Sequence, residues 1–362
     1  MTRLIWKRGV ALTVLTLGLS LSAKAADGRT ADQAIDAFHR AFYNPDMKLY
    51  AIDTDKMGRA AIWVQAIYWD MMQNAYRRNH DKRYRQLIGD IYQGAYEQYA
   101  AFDWTNHIEW FIYDDMMWWI ISLGRAYELT GEPRYLAHSA DGFAYVWQQA
   151  YDSQRGGLWW NFKHDAKMAC INYPTVVAAM TLYRITGDPA YLAKAKAVYA
   201  WATRVFTTKG DGRVADNMHY HFQRPNGMDI DFTTQLYNQG TYIGAATMLF
   251  KATADSAYLR DAIRAADYTR YKMCDSDGLL PYKNGVEQGI YAAIFAQYIH
   301  MLIYEGGQRQ YLPWMSHNAQ AAWGHRDPAR GLTYKDTSHP CPTGRMESYD
   351  ASVGAALLQL FR

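Results

Sequence analysis

A ten-residue turn recurs along the chain and decides what it can become. It reads Tyr127-Glu-Leu-Thr-Gly-Glu-Pro-Arg-Tyr-Leu136, then Tyr183-Arg-Ile-Thr-Gly-Asp-Pro-Ala-Tyr-Leu192, then Phe250-Lys-Ala-Thr-Ala-Asp-Ser-Ala-Tyr-Leu259. Each copy joins the end of one helical pattern to the start of the next. In the first two, Gly stands at the stop and Pro opens the helix that follows, the usual chemistry of such a junction. Weaker copies lie at His80 to Tyr84 and at Gly306 to Leu312. Aligned on Tyr84, Tyr135, Tyr191, Tyr258 and Tyr311, the intervals are 51, 56, 67 and 53 residues. A repeat of this period is one helical hairpin per unit, each too small to bury its apolar face alone.

Apolar periodicity fills in the units. Asp32 to Tyr43 is a lone first helix. Gly58 to Arg78 pairs with Asp81 to Ala101, Trp110 to Leu129 with Pro133 to Ala150, and Ala166 to Ile185 with Pro189 to Phe206. Thr233 to Ala252 pairs with Ser256 to Tyr271, Val286 to Tyr304 with Gln308 to Ala322, and Glu347 to Phe361 closes the series of twelve. Strand-like alternation is nearly absent. First members of the pairs, such as Tyr173 to Met180 and Ile243 to Leu249, are apolar on several faces and belong inside. Second members carry a polar stripe, as at Lys194 and Lys196, and belong outside. The fold expected is all-α, an (α/α)6 barrel of six inner and six outer helices. An open superhelix of the same hairpins is the alternative, because periodicity does not report closure.

Residues 1–25 read differently from the rest. Arg3, Lys7 and Arg8 precede an apolar run from Gly9 to Leu21, and Ala23-Lys24-Ala25 is a small-x-small cleavage site. This is the pattern of a secretory signal peptide. It leaves residues 26–362 as one domain, destined for the periplasm or the cell exterior, with no membrane span. Removing the four basic residues of the signal takes the formal charge from +3 to −1. A nearly neutral chain without a basic run argues against a nucleic-acid partner. Cys170, Cys274 and Cys341 form no metal pattern and at most one bridge. No cofactor or metal is called for, and a monomer is expected. The 30 tyrosines and 13 tryptophans exceed what a helical core needs and suit a surface that meets sugars.

The connections are lopsided. Turns from inner to outer helices are short, whereas returns are long and rich in Trp, Asn, Asp and Gly. All the long links emerge where inner helices begin, and long loops on a rigid scaffold are where function concentrates. Asp114 and Asp115 open the second inner helix within Tyr113-Asp-Asp-Met-Met-Trp-Trp119. Their bland reading is helix-starting acids favoured by the backbone dipole. In an apolar setting, however, an ionised carboxylate is costly without a partner or a task. Gly156-Gly-Leu-Trp-Trp-Asn161 precedes the third inner helix, on which Lys167 and Asn172 are expected. Tyr237-Asn-Gln-Gly240 opens the fourth. Each could be scaffold: a loop tucked against the ring, a solvated lysine, amides satisfying loop carbonyls. Beside the acid pair, Trp159, Trp160, Asn161, Lys167, Asn172, Tyr237, Asn238 and Gln239 together read as an aromatic, amide-lined site for a polar ligand.

These motifs, in this order, resemble glycoside hydrolase family 76, the bacterial endo-α-1,6-mannanases and their fungal cell-wall relatives. The likeness runs from about Trp63 to Leu259. It implies an (α/α)6 barrel and a retaining mechanism with two consecutive aspartates, Asp114 as nucleophile and Asp115 as general acid/base, acting on a polysaccharide or oligosaccharide. Retention needs carboxyls about 5–5.5 Å apart. Neighbouring helical positions are about that close, though they splay by about 100° around the axis. Beyond Leu259 the chain departs from the family. Where relatives commonly show Phe-Lys-Gly-Ile-Phe with an Arg soon after, this chain has Glu287-Gln-Gly-Ile-Tyr291. The loop from Asp216 to Asp231 has no close counterpart. The departures bear on substrate length and linkage. The competing readings are an unsaturated-uronide hydrolase, a transglycosidase or a sugar epimerase on the same toroid, and a silent glycan-binding protein.

Overall fold

The computed structural model describes residues 28–207, 209–220 and 228–361. The expected signal peptide and the tip of the 216–231 loop lie outside them. Among the described residues are twelve α-helices. They are α1 Gly28–Phe42, α2 Ile62–Asn79, α3 Lys82–Gln98, α4 Tyr113–Thr130, α5 Pro133–Ala150 and α6 Ala169–Thr186. The series continues with α7 Pro189–Phe206, α8 Leu236–Thr253, α9 Ser256–Tyr268, α10 Tyr291–Tyr304, α11 Leu312–Gly324 and α12 Ser348–Leu360. The even-numbered helices pack in a cycle, α2 on α4, α4 on α6, α6 on α8, α8 on α10, α10 on α12, and α12 back on α2. The ring is therefore closed, and the open superhelix is excluded. The lone first helix joins the outer layer against α12 and α2. None of these helices is long and apolar enough to cross a membrane.

The repeated tyrosine has a mechanical role. Each one, in the first turn or just ahead of an outer helix, reaches the outer helix before it. Tyr84 donates to Asp36 on α1 at 3.0 Å, and Tyr311 to Asp267 on α9 at 2.7 Å. Tyr135 packs on Tyr92 of α3, Tyr191 edge-on to Phe143 of α5, and Tyr258 edge-on to Tyr199 of α7. The spacing seen in the sequence is thus the spacing of a circumferential seam. The turn before it takes the left-handed conformation, at Gly131 (φ 70°), Gly187 (φ 73°) and, in the third copy, Ala254 (φ 57°).

Two details differ from the sequence reading. Five short strands occur among the described residues. Of these, β1 Tyr43–Asn44 and β2 Leu49–Tyr50 pair with each other, while β3 Lys167–Met168, β4 Asn217–Tyr220 and β5 Met228–Asp231 form an antiparallel sheet in that order. Lys167 therefore sits on a strand ahead of α6, not on the helix. The inner helices also begin a few residues later than apolar periodicity suggested, since the preceding residues are extended and pair with neighbouring loops: Ile112 bridges Asn161. All three cysteines are free.

Candidate active site

The N-terminal ends of the inner helices open onto a cleft of about 540 Å³. Asp114 and Asp115 lie in its floor, in the first turn of α4, with Trp118 one turn further on. The link from α5 to α6 is laced to this turn. Tyr113 donates its backbone N–H to the Trp160 carbonyl at 3.0 Å, and Trp160 donates to Ala166 at 2.9 Å. That places the Trp160 ring in the cleft wall. Trp63 from α2, Cys170 from α6, Tyr237 from α8, and Tyr291 with Glu287 at the start of α10 complete it. Ile108 and Phe111 stand exposed at the rim. Arg59 is the one cation lining the cleft among the described residues, and it faces Glu109 at 3.9 Å.

Neither aspartate has an ion-pair partner among the described residues. Both are half-exposed to the cleft yet surrounded by protein, and this desolvation outweighs the helix dipole that favours their charge. Burial pushes the Asp114 pKa up to about 6, against hydrogen-bonding contributions from Cys170, Trp160 and Trp118 that pull it down. Its Oδ1 is buried without a hydrogen-bond partner. Asp115 goes further, well above the ordinary carboxylate range, through burial first, then the charges of Asp114 and Glu287. The same enclosure raises the Cys170 thiol and the Tyr237 phenol, so both stay protonated as donors beside Asp114. Burial and the charge of each on the other thus make the pair release its second proton less readily than its first.

Of the eight residues expected around the acids, Trp160 and Tyr237 line the cleft. The others lie behind it and hold it up. Lys167 Nζ pairs with Asp152 at 2.8 Å, bonds the Gly156 carbonyl, and lies over the Trp159 and Trp201 rings. Trp159 in turn stacks on His164, centroids 5.4 Å apart. Gly156 and Gly157 run left-handed across Trp201, where a Cβ on Gly157 would meet the indole at 2.4 Å. Asn161 bonds the Lys163 N–H within its own turn. Asn172 accepts from the Leu158 N–H at 2.8 Å and donates to the Leu158 and Met168 carbonyls. Asn238 donates to Asp216 at 2.9 Å. Gln239 accepts from Val214 and donates to the Gly212 and Ala265 carbonyls, clamping the α7–α8 link to α9. Sequence reasoning passed over Trp63, Cys170 and Tyr291. Their only signal is position, at or near the first turn of an inner helix.

With twelve helices in a closed double ring and an acid pair in its mouth, the sequence model of glycosyl hydrolase family 76 matches residues 23–354. The chain belongs to glycosyl hydrolase family 76. It is accordingly a glycoside hydrolase. Among solved structures of similar fold is the α-1,6-mannanase GH76A of Salegentibacter sp. HEL1_6, with 24% identity, a TM-score of 0.84, and coverage of 92% of this chain and 98% of that one. The same mannanase is known as an inactive variant, two consecutive aspartates replaced by asparagine, in complex with α-1,6-mannotriose (24% identity, TM-score 0.83, covering 92% and 98%). Dfg5 of Chaetomium thermophilum, in complex with glucosamine, is 16% identical with a TM-score of 0.73, covering 94% of this chain and 92% of that one. No curated protein sequence matches the chain.

Proposed function

We propose that this family 76 hydrolase is an exported, retaining enzyme that cleaves α-1,6-mannosidic linkages in α-mannan or mannose-containing glycans. The observation that carries the reading is the pair of adjacent aspartates in the floor of one aromatic-walled cleft, with no ion-pair partner among the described residues. In this reading Asp114 is the nucleophile. Its carboxylate attacks the anomeric carbon while Asp115 donates its proton to the departing glycosidic oxygen. That leaves a covalent glycosyl-enzyme and an ionised Asp115. In the second step Asp115 takes a proton from water, which displaces Asp114 and restores the starting configuration. The Cys170 thiol donates toward Asp114 and Tyr237 toward Cys170, and Trp160 and Trp63 offer flat faces to the sugar rings. The mannotriose complex of the Salegentibacter relative supports the choice of linkage. A net acidic cleft disfavours a uronide, whose carboxylate would be repelled.

The test is incubation with α-1,6-mannotriose and with yeast α-mannan, following the first-formed product by proton NMR. The α-anomer appearing before mutarotation is the expected result. A β-anomer would replace retention with inversion, and no cleavage of either substrate would remove the mannan assignment.

A further inference from the structure

The closed ring explains where Glu287 sits. In the cycle α2, α4, α6, α8, α10, α12, the helices α4 and α10 are three places apart and so face each other across the mouth. The two aspartates open α4, and Glu287 leads into α10 through the short turn Gln288–Ile290. Its backbone is left-handed (φ 65°), a conformation that residues with a Cβ rarely adopt. Its Oε2 accepts the Trp63 indole N–H at 2.7 Å, so the carboxylate is fixed on the cleft wall. No cation pairs with it among the described residues, as Arg59 is engaged with Glu109.

We propose that Glu287 is a positioning residue, whose carboxylate, held across the mouth by Trp63, keeps Asp115 in the acid form that protonates a leaving oxygen. The proposal rests on Asp115 being the acid/base. The titratable groups lining this cleft are Asp114 on α4, Cys170 on α6, Tyr237 on α8, Tyr291 on α10 and the Arg59–Glu109 pair, and the charge of Asp216 reaches Asp114 and Tyr237. The Glu287 charge also reaches Tyr68 and Tyr349. Among the described residues Arg59, facing Glu109, brings the one positive charge to the lining. Burial, Asp114 and Glu287, in that order, are what raise Asp115. Asp114 becomes neutral as an ester once the glycosyl-enzyme forms, and from then on Glu287 is the anion left to act on Asp115. It then strengthens the Asp115 carboxylate as the base that removes the water proton.

Three variants of the full chain test this, with Asp carboxyl groups labelled by ¹³C and the Asp115 signal identified by its loss in Asp115→Asn. In Glu287→Gln, which keeps an acceptor for Trp63, the Asp115 titration midpoint falls by about one pH unit. The alkaline limb of kcat on α-1,6-mannotriose falls with it. Glu287→Asp retains the charge and holds both near their original pH. An unmoved midpoint in a folded Glu287→Gln overturns the proposal. So do equal changes in the Gln and Asp variants, which would mean packing. Loss of mannotriose cleavage in Glu287→Gln with azide-rescued turnover of an activated mannoside would instead make Glu287 the acid, again overturning it. A midpoint that falls as expected in a protein that never cleaves mannotriose leaves the link between Glu287 and Asp115 standing and removes the mannan reading alone.

Discussion

Asp70 and Asp115 both lie on inner helices facing the interior of the same ring, and their fates are opposite. Asp70, in the middle of α2, accepts from Arg125 Nη1 of α4 at 2.5 Å and from the Ser122 hydroxyl at 2.8 Å. Arg125 also lies over the Tyr298 ring. Below this, Asn74 donates to Gln297 at 2.7 Å, tying α2 to α10. Charge in the barrel's waist is matched group by group. At the mouth, Asp114, Asp115 and Glu287 meet without a cation of their own. Unmatched carboxylates weaken a folded state, so a chain retains them where they have chemistry to perform. The contrast separates a carboxylate that holds the ring from one that works in it.

The sharpest way to break the contrast is to remove one charge of each kind. Asp114→Asn should lower turnover of every mannoside by about 10⁴-fold or more, as loss of a nucleophile does. Its melting temperature should stay level or rise, because an unmatched buried charge has gone. A clear drop in melting temperature would make Asp114 structural. Asp115→Asn should lose about 10²–10⁴-fold on mannan, the usual span for general acid/base catalysis. It should still form the covalent intermediate from an activated mannoside and release it slowly, with azide restoring turnover as the α-mannosyl azide after two displacements. The α-azide marks attack on the glycosyl-enzyme when that intermediate is β-linked, as an α-retaining path requires. A label trapped on Asp115 would reverse the two roles.

Asp70→Asn should behave in the other way, leaving Arg125 buried and unmatched and costing about 3–5 kcal/mol of stability by denaturant unfolding. A cost near zero would mean the waist needs no ion pair. The smallest effect is in the pH dependence of stability. Folding raises the Asp114 pKa from 3.8 to about 6 and raises Asp115 further. The folded state therefore holds protons that the unfolded chain releases, and stability declines as pH climbs through that interval. Relative to wild type, the Asp114→Asn/Asp115→Asn double variant should gain stability steadily from pH 4 toward neutrality. A constant difference across that range would contradict the raised proton affinities.

The ring was legible because its information is periodic. The repeat tyrosines, the turn before each and the alternation of apolar and striped helices each report a hairpin, and five hairpins with two single helices suffice to close. The acid pair was legible because two charges in an aromatic run conflict with their surroundings. The amides were not. Successive residues on a helix turn by about 100°, so the four residues from Tyr237 to Gly240 point in four directions. Tyr237 enters the cleft, Asn238 meets Asp216, Gln239 clamps the link to α9, and Gly240 lets α10 approach, where a Cβ would lie 2.8 Å from the Phe295 Cα. Composition in a first turn does not distinguish these. Lys167 was hidden similarly, as nothing local in the sequence announces Asp152, fifteen positions earlier, as its partner.

The seam where the ring closes has a consequence for how the chain is made. Gln359 of α12 donates to the Ala31 carbonyl of α1 at 2.9 Å across 328 residues, and Gly28 is held by Arg78 at 3.2 Å. The apolar stripe of α1, Ala31, Ile35, Phe38 and Phe42, is buried largely by that neighbour and by α2. During synthesis α1 appears first and α12 last. Throughout elongation the first helix carries an uncovered greasy face, and each later hairpin adds an edge that stays open until the final one arrives. The ring therefore closes only when both ends of the chain are present, and the stripe of α1 is fully covered no sooner than the last helix docks.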